Sequence, residues 1–182
     1  MPENKFKKAI NIKFYCLIFQ LNLYIQVFNQ PGIDIMNEKK ALIIIDMQYY
    51  FLSTTTRRFT TQLIPAIQNL LVRVRQLQIP VIHIKTVYEH DKSNWPQAWL
   101  HREKLYCMRD SHDAEILQEI SPVPGEIVIS KSRYSAFFNT LLKSRLEEKN
   151  IKSIVLAGYS SDCCVRFTAI DAQYWYKNNH FK

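Results

Sequence analysis

Three residues of this chain suit nucleophilic chemistry and stand where a strand hands over to a loop or helix. Asp46 closes the apolar run ALIIID, Lys131 closes EIVISK, and Cys164 follows SIVLAGY at the start of a helical pattern. A thiol attacks as its thiolate, and a helix N-terminus and a nearby ammonium both favour that form. Cys164 has the first, with Ser161 or Asp162 as the expected cap, and Lys131 is able to supply the second. Asp46 is suited to take the thiol proton and return it to a leaving group. Amides of an early helical turn lack intrahelical partners and can hold a developing oxyanion. Taken singly each residue has a plainer reading, because a strand-terminal Asp or Lys is usually solvated and a cysteine near a helix start is usually core. Only the combination carries the chemistry.

To act together the three must be brought to one edge of a sheet, and in open α/β sheets ligands bind beyond the carboxyl ends of the strands. From Ala41 onward, apolar runs of strand length alternate with helical patterns. That alternation predicts an α/β fold with an open, mostly parallel sheet flanked by helices in three layers. Strands are expected at 41–46, 80–88, 126–131 and 153–159, the first a continuous apolar run as needed for burial on both faces. Leu63, Ile67, Leu70, Leu71 and Val74 recur at helical spacing, with Thr60 or Thr61 as cap and Pro65 in the first turn. A short helix is expected around Ile116, Leu117 and Ile120, capped by Asp110 or Ser111 and ended by Pro122 and Pro124. Another is expected from Ser135, turning Phe138, Leu141, Leu142 and Leu146 inward and Arg145, Glu147, Glu148 and Lys149 to water. A last helix covers 163–176. The stretch from His90 to Ser111 has little periodicity, as expected of a functional loop. Trp95, Trp99, Tyr134 and Phe137 are candidates for an apolar substrate pocket, with packing as the competing role.

ALIIIDMQYYF resembles the opening strand of isochorismatase-like hydrolases, KSRYSAF at 131–137 their lysine motif, and GYSSDCCVRFTAIDA at 158–172 their nucleophile segment. Over about Lys40 to Lys177 the three motifs occur in the family's order. The resemblance implies Asp46 as proton acceptor, Lys131 as electrostatic partner and Cys164 as nucleophile, with Cys163 at a variable position. It also implies a non-proline cis peptide at Tyr159-Ser160, an oxyanion hole from the amides of Ser160 and Cys164, and a C–N hydrolase forming a thioester on a small amide, carbamoyl or ureido substrate. Gly158 fits the backbone freedom such a turn requires. An inactive family member kept as an oligomeric partner and an isochorismate-type vinyl-ether hydrolase are the alternatives, the retained cysteine counting against the second. No cofactor is expected. Nicotinamidases of this family place an Asp-x-His metal motif after the second strand; here His90 matches, Tyr88 replaces the aspartate, and no metal is expected.

Composition bounds these readings. With 182 residues, 47% hydrophobic and 22% charged, the chain fits one globular domain. The net charge of +8 is spread among acidic residues without a basic stripe, so nucleic acid is not the expected partner. Only three glycines occur, with no G-x-G-x-x-G and no P-loop, which argues against a nucleotide-binding or flavodoxin-like domain. Cysteines at 16, 107, 163 and 164 match neither a zinc ribbon nor a secreted disulfide framework, which points to a reducing, cytoplasmic setting. Residues 1–35 have a basic start and an apolar middle interrupted by Lys13, Gln20, Asn22 and Gln26, so a membrane anchor is not expected. They read as an extension upstream of a start at Met36, the domain being 36–182. The family pattern further implies a strand and helix beyond Lys182, and hence an incomplete sheet prone to form homo-oligomers.

Overall fold

The computed structural model describes residues 39–54 and 57–178, without the side chains of 57–60 and 175–178. The expectations for residues 1–35, Met36 and Cys16 therefore lie outside the described residues. Four strands form one sheet: β1 (Lys40–Ile45), β2 (Val81–Thr86), β3 (Ile127–Lys131) and β4 (Ser153–Gly158). Their order is β3-β2-β1-β4, and every pairing is parallel. Four α-helices accompany them: α1 (Tyr49–Ser53), α2 (Arg57–Gln76), α3 (Leu142–Glu148) and α4 (Cys164–Asn178).

β1 shows why the sheet has three layers. Ala41, Ile43 and Ile45 join a core with Ile82, Ile84, Ile129, Leu142, Leu146, Val165 and Ala172, which places α3 and α4 on that face. Leu42 and Ile44 point the other way, into a core with Ile67, Leu70, Leu71 and Val74 of α2. Strand side chains alternate between faces, so a strand covered on both sides has to be apolar throughout. Each fully buried aliphatic side chain contributes about 1.5–3 kcal/mol, which makes the central strand the chief anchor of the fold.

The register aligns the chemical ends. Ile45 sits beside Ile84 and Gly158, and Thr86 beside Lys131, so Asp46, Thr86, Lys131 and the turn after Gly158 emerge at one edge. Asp46 itself has left the strand at φ 53°, a left-handed conformation that a short carboxylate side chain tolerates. Gly158 has φ +135°, and a Cβ there would lie 2.0 Å from the Ile45 carbonyl oxygen. No other residue permits that approach of β4 to β1.

Several local expectations need correction. α2 begins at Arg57, so Thr60 and Thr61 lie inside it and Pro65 is interior rather than in the first turn. Pro65 is exposed, while Ile67 and Leu70 are buried in the core and Leu63 packs against it. The helix expected from Ser135 starts only at Leu142. The Thr140 hydroxyl accepts the Leu142 amide at 3.2 Å, and the Ser135 hydroxyl accepts that of Phe137 at 3.2 Å. These local bonds compete with helix, and Phe138 and Leu141 consequently face outward. Around Ile116 there are two 3₁₀ turns, His112–Ala114 and Gln118–Ile120, instead of an α-helix. The backbone between them is spent on α1's approach: Tyr49 N donates to Glu115 O at 3.2 Å and Leu117 N to Met47 O at 3.0 Å. Among the described residues no helix is long and apolar enough to cross a membrane.

Candidate active site

The strand ends deliver Asp46, Lys131 and Cys164 to one buried cluster. Lys131 Nζ lies 2.8 Å from Asp46 Oδ2 and 3.5 Å from Cys164 Sγ. It also donates to Thr86 Oγ1 at 2.8 Å and to the Arg133 carbonyl at 3.0 Å. Thr86 Oγ1 in turn donates to Asp46 Oδ1 at 2.9 Å. Asp46 Oδ2 has its ion-pair contact but no aligned hydrogen bond among the described residues. Asp46, Thr86, Lys131 and Cys164 are all buried, so their mutual interactions are little screened by water.

Cys164 opens α4, but the helix start is held by main chain: the Ser160 carbonyl accepts the amides of Cys163 at 3.2 Å and Val165 at 3.1 Å. Of the two expected caps, the Asp162 carboxylate is engaged by the Ser160 hydroxyl. The thiol also departs from expectation. Burial and then the negative charge of Asp46 push its pKa well above the ordinary cysteine range, and Lys131 offsets only part of this. The resting group is a neutral thiol that needs a base. Burial pulls the Lys131 ammonium down, but the negative charge of Asp46 beside it outweighs this and raises its pKa. The Tyr159-Ser160 peptide between β4 and this helix is cis. Cys107, Cys163 and Cys164 are all free thiols.

A model of the isochorismatase domain matches residues 40–174. The chain belongs to the isochorismatase family. It is similar to RutB, a ureidoacrylate amidohydrolase of Cronobacter turicensis, with 28% identity over 158 residues, 74% of this chain and 68% of that one. It also resembles two solved structures. With an isochorismatase family protein of Desulfovibrio vulgaris the TM-score is 0.70 at 28% identity, covering 76% of each chain. With N-carbamoylsarcosine amidase of Thermoplasma acidophilum it is 0.65 at 28%, covering 75% of this chain and 76% of that one.

Within this isochorismatase-family framework the rings beside the cluster are only partly those expected. Trp95 is 4% exposed, donates its indole N–H to the Glu89 carbonyl at 2.7 Å and packs with Tyr88, Leu105 and Met108 inside the long loop. Phe137 packs against the core shared by α3 and α4. Trp99 is half-buried and Tyr134 exposed. Tyr134 stacks on Phe167 with centroids 5.5 Å apart, and Trp99 meets the Tyr106 ring at 6.0 Å. Tyr106 was not expected, and it is the hub: Tyr50 stacks on it at 4.4 Å, and Phe51 and Tyr88 meet it edge-on at 5.8 and 5.6 Å. Burial first, then neighbouring groups including Cys164, raise the Tyr106 phenol to about 12, so it stays a neutral hydrogen-bonding group.

Two buried polar residues also went unmarked, Thr86 and Gln48. Gln48 Oε1 accepts the Thr86 amide at 2.7 Å, and its Nε2 donates to the Thr86 and Ala114 carbonyls, both at 2.9 Å. The one sequence signal was the Asp-x-Gln spacing, which sets Gln48 two residues beyond Asp46. The residues at the nicotinamidase metal position do not form a ligand set. Tyr88 is buried among rings, while His90 bonds the Arg109 carbonyl at 3.0 Å. Among the described residues no group of three or more His, Cys, Asp or Glu is placed to hold a metal.

Proposed function

We propose that this chain is a cysteine hydrolase that cleaves the C–N bond of a small amide, carbamoyl or ureido compound through a thioester on Cys164. The observation that carries the reading is the convergence of a neutral buried thiol, an ammonium 3.5 Å from it and a carboxylate oxygen that receives no aligned donor. As Cys164 Sγ attacks the carbonyl carbon, its proton passes to Asp46 Oδ2. The negative charge leaves Asp46 and appears on the carbonyl oxygen, with Lys131 neutralising the cluster throughout. The amides of Ser160 and Cys164 form no hydrogen bond to another described group, which leaves them available for that oxyanion. Asp46 then gives its proton to the departing nitrogen as the C–N bond breaks. In the second half Asp46 takes a proton from water as its oxygen attacks the thioester, and passes that proton to Cys164 Sγ as the C–S bond breaks and the acid is released. The names of the relatives, an amidohydrolase and an amidase, support the same reaction type.

The test is release of ammonia or amine from a panel of simple amides, carbamoyl amino acids and ureido acids. Acid-quenched samples are also examined by peptide mass spectrometry for an acyl group on Cys164. Turnover with the acyl group on that peptide is the expected result. Full activity in a Cys164→Ala variant, or no release from any of these compounds by the folded protein, would refute the reading.

A further inference from the structure

Resting on that hydrolase reading, we infer that Thr86 is a positioning residue whose hydroxyl decides which oxygen of Asp46 serves as the base. An ammonium has only protons to give, so Thr86 Oγ1 must accept from Lys131 Nζ, 2.8 Å away. Its single proton is then committed to Asp46 Oδ1 at 2.9 Å. Oδ1 is thereby occupied, and Oδ2 is left with the Lys131 charge at 2.8 Å but no aligned donor. The hydroxyl thus sorts two chemically identical oxygens into an anchored one and a receptive one.

The rest of Thr86 is built to hold that hydroxyl still. Its amide and its carbonyl are both bonded by the Gln48 side chain, at 2.7 and 2.9 Å, and the residue is 3% exposed. Gln48 lies two residues from Asp46 in the chain, so one short segment supplies the base and also clamps the residue that orients it. Valine has nearly the same shape as threonine without the hydroxyl. In Thr86→Val both carboxylate oxygens would compete for Lys131, and no oxygen would stand reserved for the thiol.

The hydrogen bond from Thr86 can be read without any substrate, from the carbon-13 resonance of the Asp46 carboxyl carbon at a fixed neutral pH, which responds to the loss of a donor. Thr86→Val should move that resonance, and Thr86→Ser should leave it where wild type has it. With an active substrate, kcat of Thr86→Val should fall about 10- to 100-fold with little change in KM, and Thr86→Ser should recover most of it. An unmoved Asp46 resonance in Thr86→Val overturns the inference, and so does an equal displacement in Thr86→Ser, which would assign the effect to shape. Should the valine variant not fold, Thr86→Ala removes the hydroxyl without adding bulk and carries the same comparison. If no compound is turned over at all, the hydrolase reading fails while the Asp46 resonance still decides the role of Thr86.

Discussion

Near neutral pH Cys164 is protonated, and the groups that keep it so are the groups that would use it. Burial contributes most to raising its pKa and the Asp46 carboxylate second, while Lys131 works in the opposite direction. Asp46→Asn removes the second cause and leaves the ammonium 3.5 Å from sulfur without its counterion. The thiol of that variant should therefore ionise at lower pH than in wild type, measured by thiolate ultraviolet absorbance with Cys16, Cys107 and Cys163 replaced by serine. Turnover should nonetheless fall by about 10²–10⁴-fold, because an amide cannot take or return the proton. A more acidic thiol in a slower enzyme separates base catalysis from simple thiolate population. If the midpoint stayed put or rose, Asp46 would not be acting on this sulfur. None of this balance is visible in the spacing of Asp46, Lys131 and Cys164. The sequence places a cysteine at a helix start with a lysine to meet it, but how deeply the cluster is buried depends on the whole sheet. Thr86 and Gln48 escaped notice for a related reason: their bonds join residues 38 to 66 positions apart, through a tertiary register that no local pattern encodes.

Among the elements, those that local physics determines are the ones legible in the sequence. The four strands appear within two residues of their apolar runs at either end, because a strand covered on both faces has no polar alternative. The segment 135–141 was misread because Phe138, Leu141 and Leu142 suit a helix by spacing, while Ser135 and Thr140 redirect the backbone. One inter-element contact also carries a pH prediction. His83 of β2, 1% exposed, meets Glu126 Oε2 at 2.9 Å, and Arg75 of α2 grips the same carboxylate through Nε at 2.8 Å and Nη2 at 2.9 Å. Burial holds His83 below its ordinary pKa despite Glu126. Burial alone would raise Glu126, but the bonds from Arg75, the Val123 amide and His83 bring it below the usual carboxylate value. Both groups thus bind fewer protons when folded than when unfolded, so their stabilisation is present above the unfolded values and is lost as pH falls. The urea midpoint should decline on acidification from about pH 6.5 toward pH 4. Glu126→Gln should cost about 1–3 kcal/mol at neutral pH, toward the lower end because Arg75 is partly exposed, and the difference from wild type should shrink as the carboxylate protonates. A variant as stable as wild type, or a gap that widens in acid, would show that this cluster does not tie α2 to the sheet.

At the scale of the whole molecule, the outer side of α4 is apolar where a lone surface helix would be polar. Phe167, Ile170 and Tyr174 follow helical spacing on one exposed face, and Tyr174 is 63% exposed. The segment before α3 borders this face through the Tyr134–Phe167 stack and the bond from Ala136 N to Thr168 Oγ1 at 3.0 Å, and it carries the exposed Phe138 and Leu141. Next to it, β4 pairs only with β1 among the described residues and has its other edge open. A run of large apolar side chains beside a free strand edge favours association, since burying each ring gains about 1.5–3 kcal/mol. The chain is expected to self-associate through this face, with a mass above that of one copy in light scattering at micromolar concentration. Phe138→Lys combined with Tyr174→Lys should shift the equilibrium toward single copies by at least about tenfold in dissociation constant, since each change places a charge where a ring would be buried. These positions lie away from the Asp46–Lys131–Cys164 cluster, so titration of the Cys164 thiol reports whether each subunit stays intact. A wild-type chain that remains a single copy, with the lysine variant less stable to urea, would mean that the face is covered within one chain. Equal masses for wild type and variant, both above one copy, would place the contact on another surface.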